Sequence, residues 1–247
     1  MDKKSIFKEN FLSTVTMLGN LPGGRLQILP SGSLISLSGI PSEDDNYVVF
    51  NPSTNKKEID DALFILKNSA TPFIVPELYN CDLNYSNMLE SSGLTKKHIY
   101  TAMSLEKKKE HLSDVSVIEI KNAAEAEIWA GASWAGFGEN TPVAENYITF
   151  TEQLINCKKN KLYVLKHCDV AVSSGLIHYS EEACGLYYFS TLPEFRRQGF
   201  AHRLVGTLAS VAFRTYEIFV LLATEQGEPF YNNFGFDSLY SVPMRTL

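Results

Sequence analysis

The residues whose types and spacing could do chemistry are Arg196-Arg197-Gln198-Gly199-Phe200-Ala201. They stand between a β-rich run, Tyr187–Thr191, and a segment with apolar residues at Leu204, Val205, Leu208, Val211 and Ala212. That spacing of three and four predicts a helix opening at Gly199 and running to about Arg214. The start of a helix leaves several backbone N–H groups without intrahelical partners, and the macrodipole adds partial positive charge there. A diphosphate can accept hydrogen bonds from those donors. Gly199 and the small Ala201 let it approach the backbone, while Arg196, Arg197 and Arg203 bring formal charge. The competing reading is an ordinary strand-to-helix turn with surface arginines. A Walker loop would end in Gly-Lys-Ser/Thr and a dinucleotide fold would carry Gly-x-Gly-x-x-Gly; neither occurs here.

The elements that must hold this turn read as α/β in both halves of the chain. In the first half, Ser33–Leu37 and Tyr47–Phe50 are strand candidates separated by the turn signal Pro41–Asp45. A helix is predicted over Lys56–Lys67, a short strand over Pro72–Val75, a helix over Asn84–Ser91 ended by Gly93, and a strand over His98–Leu105. The charged run Glu106–His111 has no apolar period and reads as a linker. The pattern then restarts, with a strand at Val115–Ile120 and Asn122 as N-cap of a helix over Ala123–Ala135. A helix over Ala144–Cys157 follows, then strands Leu162–Lys166, Val170–Tyr179 and Gly185–Thr191. Past the predicted turn, Ile218–Ala223 is wholly apolar, as in a strand covered on both faces of a parallel or mixed sheet. A short helix around Pro229–Asn233 and a strand over Ser238–Met244 close the pattern. The expected division is an N-terminal α/β half, 1–110, and a second domain, 111–247.

Bulk properties narrow the function classes. The chain has 247 residues, 45% apolar and 20% charged, as in ordinary globular proteins. Its net charge of −6 argues against a general nucleic-acid binder, which needs a basic footprint. Most of the acid excess falls after residue 110 and favours a cationic over an anionic substrate. Cys81, Cys157, Cys168 and Cys184 show no CxxC spacing and read as reduced thiols of a cytoplasmic protein. Lys8, Glu9 and Asn10 interrupt the N-terminal apolar stretch, so no signal peptide is expected. No run approaches the roughly 20 apolar residues of a membrane span. His167-Cys168 is too isolated for a metal site, so none is expected.

Two motifs in order carry a family resemblance. Phe189–Ala201 resembles the acyl-CoA-binding motif of the GNAT superfamily, Arg/Gln-x-x-Gly-x-Gly/Ala. Pro229-Phe230-Tyr231-Asn232-Asn233-Phe234-Gly235-Phe236 is similar to the closing motif of that superfamily, with its tyrosine four residues before Gly-Phe. The resemblance implies a mixed, mostly antiparallel sheet with flanking helices, in which the parallel strands Gly185–Thr191 and Ile218–Ala223 splay apart. It implies acetyl-CoA as co-substrate, with pantetheine on the backbone of Phe189, Ser190 and Thr191. Pyrophosphate would lie on the amides from Arg197 through Gln198, Gly199, Phe200 and Ala201 to His202, beside Arg196. It also makes Tyr231 the acid that protonates the departing thiolate. Laying Leu89–Leu94 over Tyr231–Phe236 suggests that the first half is a degenerate GNAT-like unit lacking the cofactor site, with Leu89 where Tyr231 would be; the alternative is an unrelated α/β cap whose likeness is that of two ordinary helix C-caps.

Acetyl transfer to an amine also needs a proton acceptor, because an amine with pKa near 10.4 arrives protonated. Glu225, just after the apolar strand, is the residue chosen, acting through water; His178, Glu181 and Glu182 are arguable too. The expected activity is an acetyl-CoA-dependent N-acetyltransferase acting on a primary amine of a small molecule or protein. The alternatives are an aminoacyl- or other acyltransferase of tandem GNAT type, or a non-catalytic acyl-CoA sensor. The expected partners are acetyl-CoA and the acceptor, with no nucleic acid and no membrane; a homodimer is compatible with the sequence.

Overall fold

The computed structural model describes residues 2–69, 71–79, 83–107 and 113–247. Its elements in chain order are α1 (Lys3–Gly19), β1 (Arg25–Ile28), β2 (Leu34–Leu37), β3 (Asn46–Val49), α2 (Lys56–Ser69), β4 (Val75–Pro76), α3 (Leu83–Ser91) and β5 (Thr95–Glu106). The second half continues with β6 (Val117–Ile120), α4 (Ala123–Gly136), α5 (Glu145–Asn156), β7 (Asn160–His167), β8 (Val170–Tyr179) and β9 (Cys184–Thr191). It ends with α6 (Phe200–Ala212), β10 (Ile218–Ala223), α7 (Glu228–Phe234) and β11 (Asp237–Thr246). The fold is mixed α/β, with mostly antiparallel strand pairing. Nearly every expected element is present, to within a few residues at its ends. α1 and β1 were not anticipated.

One order of elements occurs twice. From β1 to β5 it runs three strands, helix, strand, helix, strand, and β7 to β11 repeats it. In each copy the first three strands pair antiparallel up to the point where the helix is inserted. The strand after that helix is parallel to the third, β10 to β9 in one copy and, through the bridge Tyr47↔Ile74, the β4 region to β3 in the other.

The chain forms two compact units whose segments alternate in sequence. One draws on Met1–Asn10, Met103–Leu222 and Asn232–Asp237; the other on Phe11–Ala102, Ala223–Tyr231 and Ser238–Leu247. The chain thus passes between units inside α1, β5, β10, α7 and β11. Of the linker expected at Glu106–His111, residues 108–111 lie outside the described ones.

In the first unit, β10, β9, β8, β7 and β6 lie side by side. β8 is buried along most of its length, since α4 and α6 both pack on it. The first ten residues belong here because of Asn10, a fully buried side chain. Its Nδ2 donates to Ser180 Oγ at 3.0 Å and to the His178 carbonyl at 3.3 Å, and its Oδ1 accepts from the Tyr187 hydroxyl at 2.8 Å. A buried amide left without such partners would cost about 1–3 kcal/mol, so this set fixes the start of α1 on the β8–β9 hairpin.

The second unit centres on an apolar cluster that includes Val48, Phe50, Ile59, Leu63, Leu66, Leu89 and Leu94. Its last strand, β11, pairs antiparallel with β4, Val75 opposite Arg245. Arg245 is fully buried and donates to Glu77, to Ser86 Oγ at 2.8 Å, to Glu90 at 3.0 Å and to the Leu94 carbonyl at 3.1 Å. Those bonds use four of the five guanidinium donors, which is how a buried arginine is tolerated. Among the described residues no helix is long and apolar enough to cross a membrane, and no group of three or more His, Cys, Asp or Glu is placed to hold a metal.

Candidate acyl-CoA site

The site begins with an irregularity in β9. Its register with β8 runs from Tyr179↔Cys184 to Leu176↔Tyr187 and resumes at Ser174↔Ser190. Tyr188 and Phe189 together therefore face Gly175 alone, which is a β-bulge, and Tyr188 has φ 49°. A left-handed tyrosine costs about 1–3 kcal/mol and persists only where its surroundings hold it. Here the surroundings are specific. Ser174 Oγ–H reaches the Tyr188 carbonyl at 3.3 Å and pairs with Ser190 Oγ at 2.9 Å, and the Trp129 indole donates to the Gly175 carbonyl at 3.2 Å. The Tyr188 ring packs edge-on to Trp129 and Phe150.

On the other edge of β9 the parallel ladder with β10 covers three pairs, from Phe219↔Cys184 to Leu221↔Leu186. The bulge and the expected cofactor strand, Phe189 to Thr191, lie beyond its last pair. The sequence signal for this feature was available: Gly175 lies in the interior of β8, and an interior glycine often marks a bulge.

After β9 the chain makes a short 3-10 turn at Pro193–Phe195, then reverses through Arg197 (φ 59°) and Gly199 (φ 86°) into α6. Left-handed residues in such a turn help gather amides into an anion-binding concavity. Gly199 is the N-cap, and no side chain caps the helix. The first intrahelical bond is from Arg203 N–H to the Gly199 carbonyl at 3.1 Å, leaving the amides of Phe200, Ala201 and His202 for other acceptors. The first turn holds no acidic residue. A Cβ built on Gly199 meets no atom within 4 Å, so the space before the turn is open and only φ restricts the residue. Phe200 anchors the helix start: it is buried, with the rings of His167 at 4.9 Å and Phe195 at 5.8 Å.

The three arginines differ from one another. Arg203 pairs with Asp114 at 2.6 Å and holds that carboxyl below its usual range. Arg196 spends its guanidinium on backbone, donating from Nε to the Thr191 carbonyl at 3.0 Å and from Nη2 to the Gly136 carbonyl at 2.9 Å. Arg197 is exposed. Gln198 donates to the Glu194 carbonyl at 2.8 Å, which closes the turn from outside.

The residues named for proton transfer lie elsewhere in the chain's organisation. Tyr231 and Glu225 fall in the second unit, whereas the turn falls in the first. Tyr231 sits on α7, nine-tenths buried, and burial pushes its phenol well above the ordinary value. Glu225 is exposed in the turn before α7, where Thr224 receives the Gly227 amide. Burial and the charges of Asp44, Glu43 and Glu225 raise Tyr100 to about 12. His178 is fully buried, lies 2.8 Å from Asn160 Oδ1 and is lowered to about 4, mainly by burial; it is a neutral core residue. Glu181 and Glu182 are exposed at the β8–β9 hairpin, about 20 Å of strand from Thr191.

Residues 138–244 match the family described as Acetyltransferase (GNAT) domain. Among solved structures the chain is similar to a GCN5-related N-acetyltransferase from Kribbella flavida, with TM-score 0.68 and 14% identity over 99% of this chain and 95% of that one. A second, from Sphaerobacter thermophilus, gives TM-score 0.60 and 11% identity over 99% and 93% of the two chains. A tandem GNAT protein from the clavulanic acid biosynthesis pathway gives TM-score 0.54 and 11% identity over 87% and 78%. No curated protein matches the sequence. At these identities the structural likeness concerns fold.

Proposed function

We propose that this chain, whose residues 138–244 match the GNAT acetyltransferase domain family, transfers an acetyl group from acetyl-CoA to a primary amine of a small molecule or protein. The observation that carries this reading is the helix start at Gly199: uncapped, free of acid and open in front. The amides from Arg197 to His202 receive the pyrophosphate there, and Arg197 supplies charge. The pantetheine arm runs along Phe189, Ser190 and Thr191, beyond the end of the β9–β10 ladder. Amide donors at the bulge face the oxygen that gains charge as the amine nitrogen attacks the thioester carbonyl.

As the C–S bond breaks, a proton must reach the thiolate and one must leave the amine. Tyr231 supplies the first. A phenol raised by burial stays protonated throughout the physiological range, and a solvated thiolate, whose thiol has pKa about 8.5, is a weaker base than the phenolate. The transfer is therefore favourable only while the thiolate is shielded from water. Glu225 accepts the amine's proton through a water relay.

For the first half we propose a GNAT-like unit without a cofactor site, residues 1–110 in the sequence division. Its support is the repeated order of elements, the left-handed glycines Gly93 and Gly235 after α3 and α7, and the likeness to a tandem GNAT protein. Free Cys157, Cys168 and Cys184 are in keeping with a cytoplasmic setting.

The test is a thermal-shift series with acetyl-CoA, CoA, ATP and NAD. A ligand at a hundred times its Kd stabilises by about 2.7 kcal/mol, which moves Tm by a few degrees. A shift confined to the CoA species is the expected result; its absence would falsify the reading. Binding without turnover of any amine would leave a sensor.

A further inference from the structure

We propose that Arg196 is a positioning residue, not a phosphate ligand: it ties the end of α4 to the end of β9, and the loop from α4 to α5 that it thereby fixes borders the acceptor. The inference rests on the acyl-CoA reading, which places the thioester at the β9 bulge and the pantetheine arm along the end of β9.

Two hydrogen bonds from one planar group define the strut. Nε reaches the Thr191 carbonyl at 3.0 Å, at the end of β9, and Nη2 reaches the Gly136 carbonyl at 2.9 Å, at the end of α4. A guanidinium presents its donors in a rigid fork, so it sets the spacing of the two carbonyls as well as joining them. The carbonyls at a helix C-terminus lack intrahelical partners and carry partial negative charge, which suits a cation.

The joint is tight. A Cβ on Gly136 would collide with Ser190 Oγ and stand 2.7 Å from Ser190 Cβ, a separation real Cβ atoms do not tolerate. Glycine at this position allows α4 to rest directly on the strand. The chain then leaves α4 through Phe137, 59% exposed, into the loop leading to α5. That loop is held again where the Trp134 indole donates to the Thr141 carbonyl at 3.1 Å. Arg196 thus fixes the base of the loop on the strand that would carry the reacting carbonyl. With its fork facing two carbonyls, its charge is directed away from the amides of the turn.

Hydrogen–deuterium exchange on the ligand-free protein tests the strut alone, and acetyl-CoA titration tests the alternative. In Arg196→Ala the amides of Phe137, Gly138 and Glu139, bonded in the native protein to the carbonyls of Ser133, Ala135 and Trp134, should exchange at least tenfold faster. Those of Leu204–Leu208 in α6 should stay within twofold, and the Kd for acetyl-CoA within threefold. Arg196→Lys keeps the charge but loses the fork and should show the same exchange, which preserves the test if the alanine variant does not fold. With any amine that turns over, kcat/KM should fall at least tenfold through the KM for the amine. Unchanged exchange at 137–139, or native exchange in Arg196→Lys, overturns the proposal. So does a tenfold weaker acetyl-CoA Kd with a flatter salt dependence. Failure of the native protein to bind acetyl-CoA would remove the acyl-CoA reading instead, leaving the exchange result to stand separately.

Discussion

Two helix starts occupy the same place in the repeated order of elements, and their chemistry is opposite. α2 follows β3 and is closed by its own side chains: Asn55 Oδ1 receives the Glu58 amide at 3.0 Å, and Asn51 Oδ1 receives the Ser53 amide at 3.1 Å. Its first turn carries Glu58, whose carboxylate accepts from Ser31 Oγ at 2.6 Å. An anion arriving there would find the Glu58 amide already bonded and would meet the charge of its carboxylate. α6 follows β9 with a glycine cap, no acid and open space. Both starts share the macrodipole, so the dipole alone does not make a phosphate site. What distinguishes them is whether the chain has already spent the donors.

The comparison can be broken most severely at Gly199. Gly199→Glu places negative charge where the pyrophosphate would sit and forces a side chain into φ 86°; acetyl-CoA affinity should fall more than a hundredfold by calorimetry. Next is the pair of positions that the repeat aligns, Leu89 and Tyr231. Tyr231→Phe removes only the hydroxyl and should lower kcat about a hundredfold with acetyl-CoA Kd unchanged, the range of a lost general acid. Equal kcat would show that the two positions do not differ in chemistry.

A third contrast lies in the interior. His178 is lowered to about 4, below the ordinary 6.5 of the unfolded chain. The folded protein then binds fewer protons than the unfolded one below pH 6.5. Its contribution is complete above about 6.5 and drains as the pH falls towards 4. Urea denaturation should show about 2 kcal/mol less stability at pH 5 than at 7.5, a dependence that His178→Gln removes. A smaller effect comes from making α6 resemble α2: His202→Glu puts an acid at the position equivalent to Glu58 and should weaken acetyl-CoA about tenfold. The smallest is Asn55→Ala, which should cost about 1 kcal/mol in the melting of the chain and leave acetyl-CoA binding untouched.

The parts of this molecule legible in its sequence are those governed by period. Ile218–Ala223 reads as a strand because nothing polar interrupts it, and the α6 stripe shows its face directly. The strand–turn–helix around Gly199 is legible because glycine, small residue and strand context coincide. α1 was missed because two residues on its buried side, Asn10 and Thr14, are polar. Asn10 is satisfied by residues 168 to 177 positions away, which no window along the chain can display. The same limit applies to Arg196. By type it reads as charge for a phosphate; only its distance to the Gly136 carbonyl shows how that charge is used.

The attachment of Asn10 to Tyr187 also sets a schedule. The two are separated by 177 residues, and a ribosome adds roughly 5–20 residues each second, so α1 is made roughly 10–35 s before its hairpin exists. During that interval the Asn10 amide has no β8–β9 hairpin to bond to, and Ile6 and Phe7, buried in the finished protein, lie on the same segment. Nascent chains of this protein should therefore draw on chaperones at their very first segment, and late in synthesis that segment becomes the last piece to settle.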